Sequence, residues 1–327
     1  MIIPLVLSPN LFDEEAEHRD SSIADKLALL LRVLQEKGLI VFDKENTIET
    51  AMLDNIESIT NQTQKIKLKK ILIFLKKLKT VNLDKQIVET ELNPTCENVL
   101  SLLKNSPDIV GITLAQNSCT KTCKECYQEL FGLENPIIDI NNIDVSFIDK
   151  IIRTNFVSIK EYDENKLKRK IFDNLIKYST EISIYDNQMI PLDRKDLSNK
   201  QKYKIKENYE FNLKYLFNYM YSINPDLKIN LFLVIKQEQQ IIKDIIYKSF
   251  DFLVTEIKKT SPNININLIE ILEECGGEKE TKLLHERYFM SDLITISCDR
   301  GVDIINYKTH EVKDFNISII NYFNWVI

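Results

Sequence analysis

What this chain lacks sets the first bounds on what it does. No apolar run approaches the roughly 20 residues that span a bilayer. The apolar start MIIPLVLS has no basic flank and stops at Pro9-Asn10, so no secretory leader is expected and the expected compartment is the cytoplasm. Positive charge is not in excess: 43 Lys and Arg against 49 Asp and Glu leave a net charge of −6. That argues against a globally basic nucleic-acid binder while leaving room for local basic patches. Six cysteines in 327 residues do not make a disulfide framework. Glycine is scarce, with six residues, while Ile, Lys and Asn abound, the signature of AT-rich coding sequence. Lysine-rich stretches therefore carry little information, and KIKLKKILIFLKKLK (65–79) reads as a solvated helix face.

What is present is the make-up of a globular protein, 44% hydrophobic and 28% charged, with length enough for two domains. Along the first part, the pattern predicts a strand at 2–7 and a helix at 22–37, with Ser21 or Ser22 as N-cap and Gly38 as C-terminal cap. A strand LIVFD follows, then helical pattern from 48 to 78 broken near NQTQ, a helix around 95–105 and a strand at 108–115. This order predicts an α/β domain over residues 1–135. A polar connection runs from 134, and the second domain is expected over 145–327. There the pattern gives a helix at 163–178, the strand EISIYD (181–186), a long polar insertion (193–208) and a helix at 209–222. Strand 228–235, helix 239–259, strand 266–272 and the two strands ERYFM and LITIS complete the segment. The fold class is therefore α/β, with a mixed sheet flanked by helices in the second domain.

The stretch LLHERYFMSDLITISCDRGVDII (283–305) holds one of the three histidines of the chain, in the array His285-x-Arg287-x4-Asp292, with Arg300-Gly301-Val302-Asp303 beyond it. Upstream lies EISIYDNQMI (181–190). Together, over residues of about 150–320, these stretches resemble the phospholipase-D-like superfamily, whose signature is H-x-K-x4-D followed by a glycine-containing turn. Arg287 stands where that family has Lys; a guanidinium also fork-binds phosphate, with different geometry. The closer resemblance is to the MIT C-terminal-domain branch, in which I-x-I-Y-D-x-Y-I and L-H-D-R…R-G-L-D recur, with Met189 standing near its second Tyr.

The resemblance implies that His285 is the nucleophile of the parent chemistry, that Arg287 binds phosphate oxygens, and that Asp292 lies close by. It also implies that Tyr185 and Asp186 face them from a strand end, with Arg300 and Asp303 contacting or positioning the phosphate. Members of the branch are mostly regarded as modules for acidic membrane lipids, and related bacterial chains accompany phage-defence genes. The expectation is a phosphate- or nucleic-acid-recognising subunit of a prokaryotic anti-phage defence system, acting with partner proteins. The first alternative is a homodimeric phosphodiesterase or nuclease, because catalysis in this superfamily needs two facing His motifs and the chain carries one. The second is a catalytically empty assembly or regulatory subunit.

Two further patterns compete for attention. Cys119-x3-Cys123-x2-Cys126 has the spacing of an iron–sulfur loop, or of a structural zinc site with Cys96 as fourth ligand. The same three cysteines share one face of a helix, where they simply pack. No cofactor is expected apart from that zinc. The layout of the first domain is similar to PIN-like nucleases, which would use Asp43, Glu49, Asp54 and Asp108 to hold Mg²⁺. The first strand, however, ends in Ser8-Pro9-Asn10, where that family needs Asp, so the metal site is expected to be lost.

Overall fold

The computed structural model describes residues 3–13, 23–43, 45–77, 80–83, 109–114, 137–143, 156–190, 205–273 and 287–320. The chain divides into two units, Ile2–Thr154 and Asn155–Ile327. The division falls later than the sequence predicts because the segment after Pro136, expected to be a connection, contributes a strand to the first unit.

In the first unit, β1 (Ile3–Leu7), β2 (Gly38–Asp43), β3 (Thr80–Leu83), β4 (Val110–Thr113) and β5 (Ile137–Asp139) form a parallel sheet of order β3-β2-β1-β4-β5. Parallel strands buried on both faces read as unbroken apolar runs. Leu5, Val6 and Leu7, like Leu39 to Phe42, are accordingly all buried. Helices α1 (Ile23–Lys37), α2 (Thr47–Ser58) and α3 (Gln62–Lys77) supply Leu27, Leu30, Ile48, Met52, Leu68 and Leu72 to the same core. Gly38 does not cap α1: it is the first residue of β2, paired with Ile3. The ladder to β1 uses this residue's backbone, so helix passes directly into strand. The expected N-cap at Ser21 or Ser22 and the helix near 95–105 lie outside the described residues.

The second unit is a seven-stranded mixed sheet of order β6-β12-β11-β10-β7-β8-β9. Its strands are β6 (Phe156–Ile159), β7 (Glu181–Asp186), β8 (Lys228–Lys236), β9 (Asn265–Glu273), β10 (Arg287–Ser291), β11 (Thr295–Cys298) and β12 (Phe315–Ile320). β7, β8 and β9 run parallel, and the remaining pairings are antiparallel. The helices are α4 (Glu164–Leu167), α5 (Asp173–Lys177), joined to it by a π-turn at Lys168–Phe172, α6 (Glu207–Ile223) and α7 (Lys243–Thr260).

Alternation along the strands sorts the two faces of this sheet. Ile182, Ile184 and Asp186 of β7 are buried, whereas Glu181, Ser183 and Tyr185 are half-buried. Register places Ile184 beside Leu231 and Phe289, and Phe289 meets Phe172 edge-on with ring centroids 5.8 Å apart. Tyr247 of α7 reaches the same face by donating to Glu270 at 3.0 Å. The opposite face carries a polar ladder in which Asn267 donates to Asn230 at 3.1 Å and Asn230 donates to Ser183 at 3.2 Å. Each fully buried Leu, Ile or Phe on the helix side contributes about 1.5–3 kcal/mol, so that face holds the unit together. Among the described residues, no helix is long and apolar enough to cross a membrane.

Candidate functional site

The end of β7 and the beginning of β10 bring two opposite charges together. The strands are antiparallel and Arg287 is the registered partner of Asp186. Asp186 belongs to the helix-bearing face and is 1% exposed. A carboxylate so placed must be compensated. Gln188 N–H donates to Oδ1 at 2.9 Å, closing a local turn, and Val302 N–H donates to Oδ2 at 3.1 Å from 116 residues away. Arg287 Nε lies 3.5 Å from Oδ1, an ion pair without a directed hydrogen bond. Desolvation outweighs these partners and raises the Asp186 pKa from 3.8 to about 6.

Arg287 is held from a second side, where its Nη1 donates to the Asp299 carbonyl. The loop that supplies this carbonyl turns through Gly301, whose φ of +59° is left-handed and whose N–H closes on the Cys298 carbonyl at 3.0 Å. A Cβ at this position would overlap the Asp186 carboxylate and come within 2.7 Å of Arg287 Cδ. Glycine is therefore required twice over, by backbone conformation and by close approach. Arg300, exposed on the same loop, donates from Nε to the Asp314 carbonyl at 2.7 Å and has no carboxylate partner among the described residues. Asp303 is neutralised by Lys313 at 2.6 Å.

Not every expected residue joins this group. Asp292 lies at the far end of β10, about 16 Å from Arg287 at ~3.3 Å per residue. There it accepts from Thr180 Oγ1 at 2.9 Å and from Thr180 N–H at 3.2 Å. Its place is a strand-end clasp, because an antiparallel strand carries the motif's two ends apart. Tyr185 falls on the opposite face from Asp186, its ring 6.1 Å from that of Tyr288, again by alternation. His285 lies outside the described residues, as do Cys96, Cys119, Cys123, Cys126 and the insertion at 193–204.

Three residues near the site escape a motif-based reading. Tyr209 of α6 is buried, and burial, followed by the Asp186 charge, drives its phenol pKa far upward while Arg287 opposes this. Asn212 is fully buried in the aromatic stripe of α6 and clasps the loop after Gly301, accepting from Ile305 N–H at 2.8 Å and donating to Ile305 O at 2.9 Å. A polar residue at a core position of YEFNLKYLF was the available signal. Asn187, 5% exposed, leaves its Oδ1 without a hydrogen-bond partner among the described residues.

The described members of the acidic set that a nuclease would use in the first unit take separate structural roles. Asp43 is fully buried and accepts from Thr47 N–H and Ile48 N–H, both at 2.9 Å, capping α2. Glu49 pairs with Lys76 at 2.6 Å, Asp54 is exposed, and Asp108 lies outside the described residues. Among the described residues, no group of three or more His, Cys, Asp or Glu is arranged to hold a metal ion.

Fold and site together define an α/β protein with a parallel sheet in one unit and, in the other, a mixed sheet bearing an Asp–Arg pair where the end of β7 meets the start of β10. No protein-family model matches the sequence, and no curated protein matches it.

Proposed function

We propose that the second unit is a phosphate-recognising module in which Arg300 and Arg287 supply the positive charge. The observation that carries this reading is the state of Arg300. Its guanidinium is exposed and tethered to a backbone carbonyl, with no carboxylate partner among the described residues. A pre-oriented guanidinium of this kind fork-binds phosphate with little entropy left to lose. Arg287 is tied to the same loop through Asp299, so the loop sets both side chains. A phosphodiester of a nucleic acid or of an acidic lipid headgroup presents the oxygens such donors fit.

The resemblance of EISIYD and of the stretch around His285 to phospholipase-D-like chains supports the same reading. On that resemblance we extend the proposal to a subunit of a prokaryotic defence system acting with partner proteins. The second reading, a homodimeric phosphodiesterase, rests on His285 and on the resemblance alone.

Binding of a labelled single-stranded oligonucleotide, and of vesicles containing a phosphoinositide, tests the proposal. Arg300→Ala is expected to weaken whichever ligand binds by on the order of tenfold, the equivalent of one charge-assisted bond of about 1.5 kcal/mol. Arg287→Lys is expected to lose less than Arg287→Ala. Unchanged affinity in Arg300→Ala would overturn the assignment. Cleavage of either phosphodiester that disappears in His285→Ala would move the protein to the enzyme reading.

A further inference from the structure

The first unit carries a second candidate, on elements that the phosphate proposal does not use. In a doubly wound parallel sheet, ligands bind outside the carboxyl ends of the strands, at the point where strand order reverses. Here that point lies between β1 and β4, since β2, the strand after β1, and β5, the strand after β4, lie on opposite sides of this pair in the order β3-β2-β1-β4-β5. Ser8 extends the ladder one residue past β1, its N–H donating to Ile112 O at 2.9 Å, and so sits level with Thr113. The register carries the same row to Asp43 on β2 and to Asp139 on β5. Registered neighbours in a parallel sheet point to the same face. The row Asp43–Ser8–Thr113–Asp139 therefore lines one side of the carboxyl edge.

Three side-chain oxygens at this edge have no hydrogen-bond partner among the described residues: Ser8 Oγ, Thr113 Oγ1 and Asn10 Oδ1. The residues are 0%, 0% and 8% exposed, so bulk water does not satisfy them. Asn10 is anchored by its amide, Nδ2 donating to Leu114 O at 2.9 Å, which places its oxygen beside the end of β4. Native proteins rarely leave such groups unpaired, since each costs about 1–3 kcal/mol. Two hydroxyls that can donate and one amide oxygen that can accept match a single ligand hydroxyl, which has two lone pairs and one proton. An anion is disfavoured, because the same row holds the Asp43 and Asp139 carboxylates and the chain turns out of β1 through Ser8-Pro9-Asn10 without a glycine-rich phosphate loop.

We propose that the β1/β4 edge of the first unit binds a neutral hydroxyl group, which accepts from Ser8 and Thr113 and donates to Asn10 Oδ1. The group comes either from an internal water, which bridges buried polar atoms of this kind, or from an alcohol-bearing small molecule such as a ribose.

Thermal unfolding of the full-length chain tests this with Thr113→Val and Ser8→Ala, changes small enough to leave the packing intact. Each is expected to lower the unfolding midpoint by a few degrees, because a held hydroxyl loses a partner. A midpoint that stays level or rises in both variants would overturn the proposal, since removing an orphaned hydroxyl only relieves its desolvation. Stabilisation of the parent protein by Mg²⁺ alone, abolished in the same variants, would also overturn it in favour of a cation. The two sources are separated by millimolar ribose or glycerol. A rise in midpoint for the parent, absent in Thr113→Val, assigns the hydroxyl to a ligand. No rise, with a density peak about 3 Å from all three oxygens in crystals of the unliganded chain, assigns it to water.

Discussion

Asp43 and Asp186 make an instructive pair. Each is the last residue of a parallel-paired strand, each is almost completely buried, and each accepts two backbone N–H groups. The difference lies in where those donors come from. Both partners of Asp43 belong to the first turn of α2, four and five residues on, where the helix N-terminus leaves amides unsatisfied. Asp186 has one local partner, Gln188, and one from Val302 on a distant loop, together with the Arg287 guanidinium. A buried carboxylate served by a helix end is a local cap. One served by a distant loop and a cation ties together elements that are remote in sequence, and it holds an arginine at the start of β10 while doing so.

The sharpest way to break the second arrangement is Gly301→Ala. The added methyl meets the Asp186 carboxylate and the residue would keep a left-handed φ, so a loss on the order of 3–5 kcal/mol is expected. Urea unfolding measures it, and the protecting exchange of the Val302 amide should collapse first. Next comes the charge of Asp186 itself. Its folded pKa is raised to about 6 from 3.8, so between these values the folded chain holds more proton than the unfolded one. Stability is therefore expected to fall as pH rises from about 4 to about 6, by on the order of 3 kcal/mol from this group. Asp186→Asn should flatten that slope in chemical denaturation at stepped pH; an unchanged slope would assign it to other groups.

Asp43→Ala sharpens the comparison from the other side. Loss of a cap costs about 1–2 kcal/mol, and exchange of the Thr47 and Ile48 amides should accelerate while that of Val302 does not. The smallest effect is expected at Asp292, whose exposed clasp on Thr180 is worth less than about 1 kcal/mol. Asp292→Ala should leave oligonucleotide or vesicle binding at the parent level, whereas a tenfold loss would restore this residue to the site.

The two aspartates also show what was legible. EISIYD has the alternation and the β-branched residues of a strand with one buried face, and β7 occupies Glu181–Asp186 as that pattern predicts. The helices and the parallel strands of the second unit follow the same logic, with bounds shifted by at most four residues. The strands that escaped are β3, β5, β6 and β12. Ile137–Asp139 and Phe156–Ile159 are too short for a period to show. Such strands exist because β4 and β12 offer them an edge, and that offer is not written in their own residues. Gly38 misled for a similar reason: a glycine after a helix predicts a cap, but the ladder to Ile3 drew it into β2.

At the candidate site, two stretches that stand out in the sequence, EISIYD and the one around Arg287 and Gly301, meet in the structure through Asp186. The structure does not bring every expected residue to that meeting point. The resemblance implies that Asp292 lies close to Arg287, yet five residues of extended chain carry it to the other end of β10. Tyr185 was grouped with Asp186 although alternate residues of a strand face opposite ways. Asn212 and Val302 came in from α6 and from the distant loop with no motif to announce them.

By itself, then, the amino-acid sequence determined the alternation of helix and strand, the two-unit α/β class and the segment that carries the arginines, because periodicity and turn chemistry are local properties. Tertiary structure decided which charged groups meet, which end of a strand they occupy and which carboxylate is a cap. Those outcomes depend on strand register and on loops that close over more than a hundred residues, and on burial that raises or satisfies a charge only once the sheet is assembled.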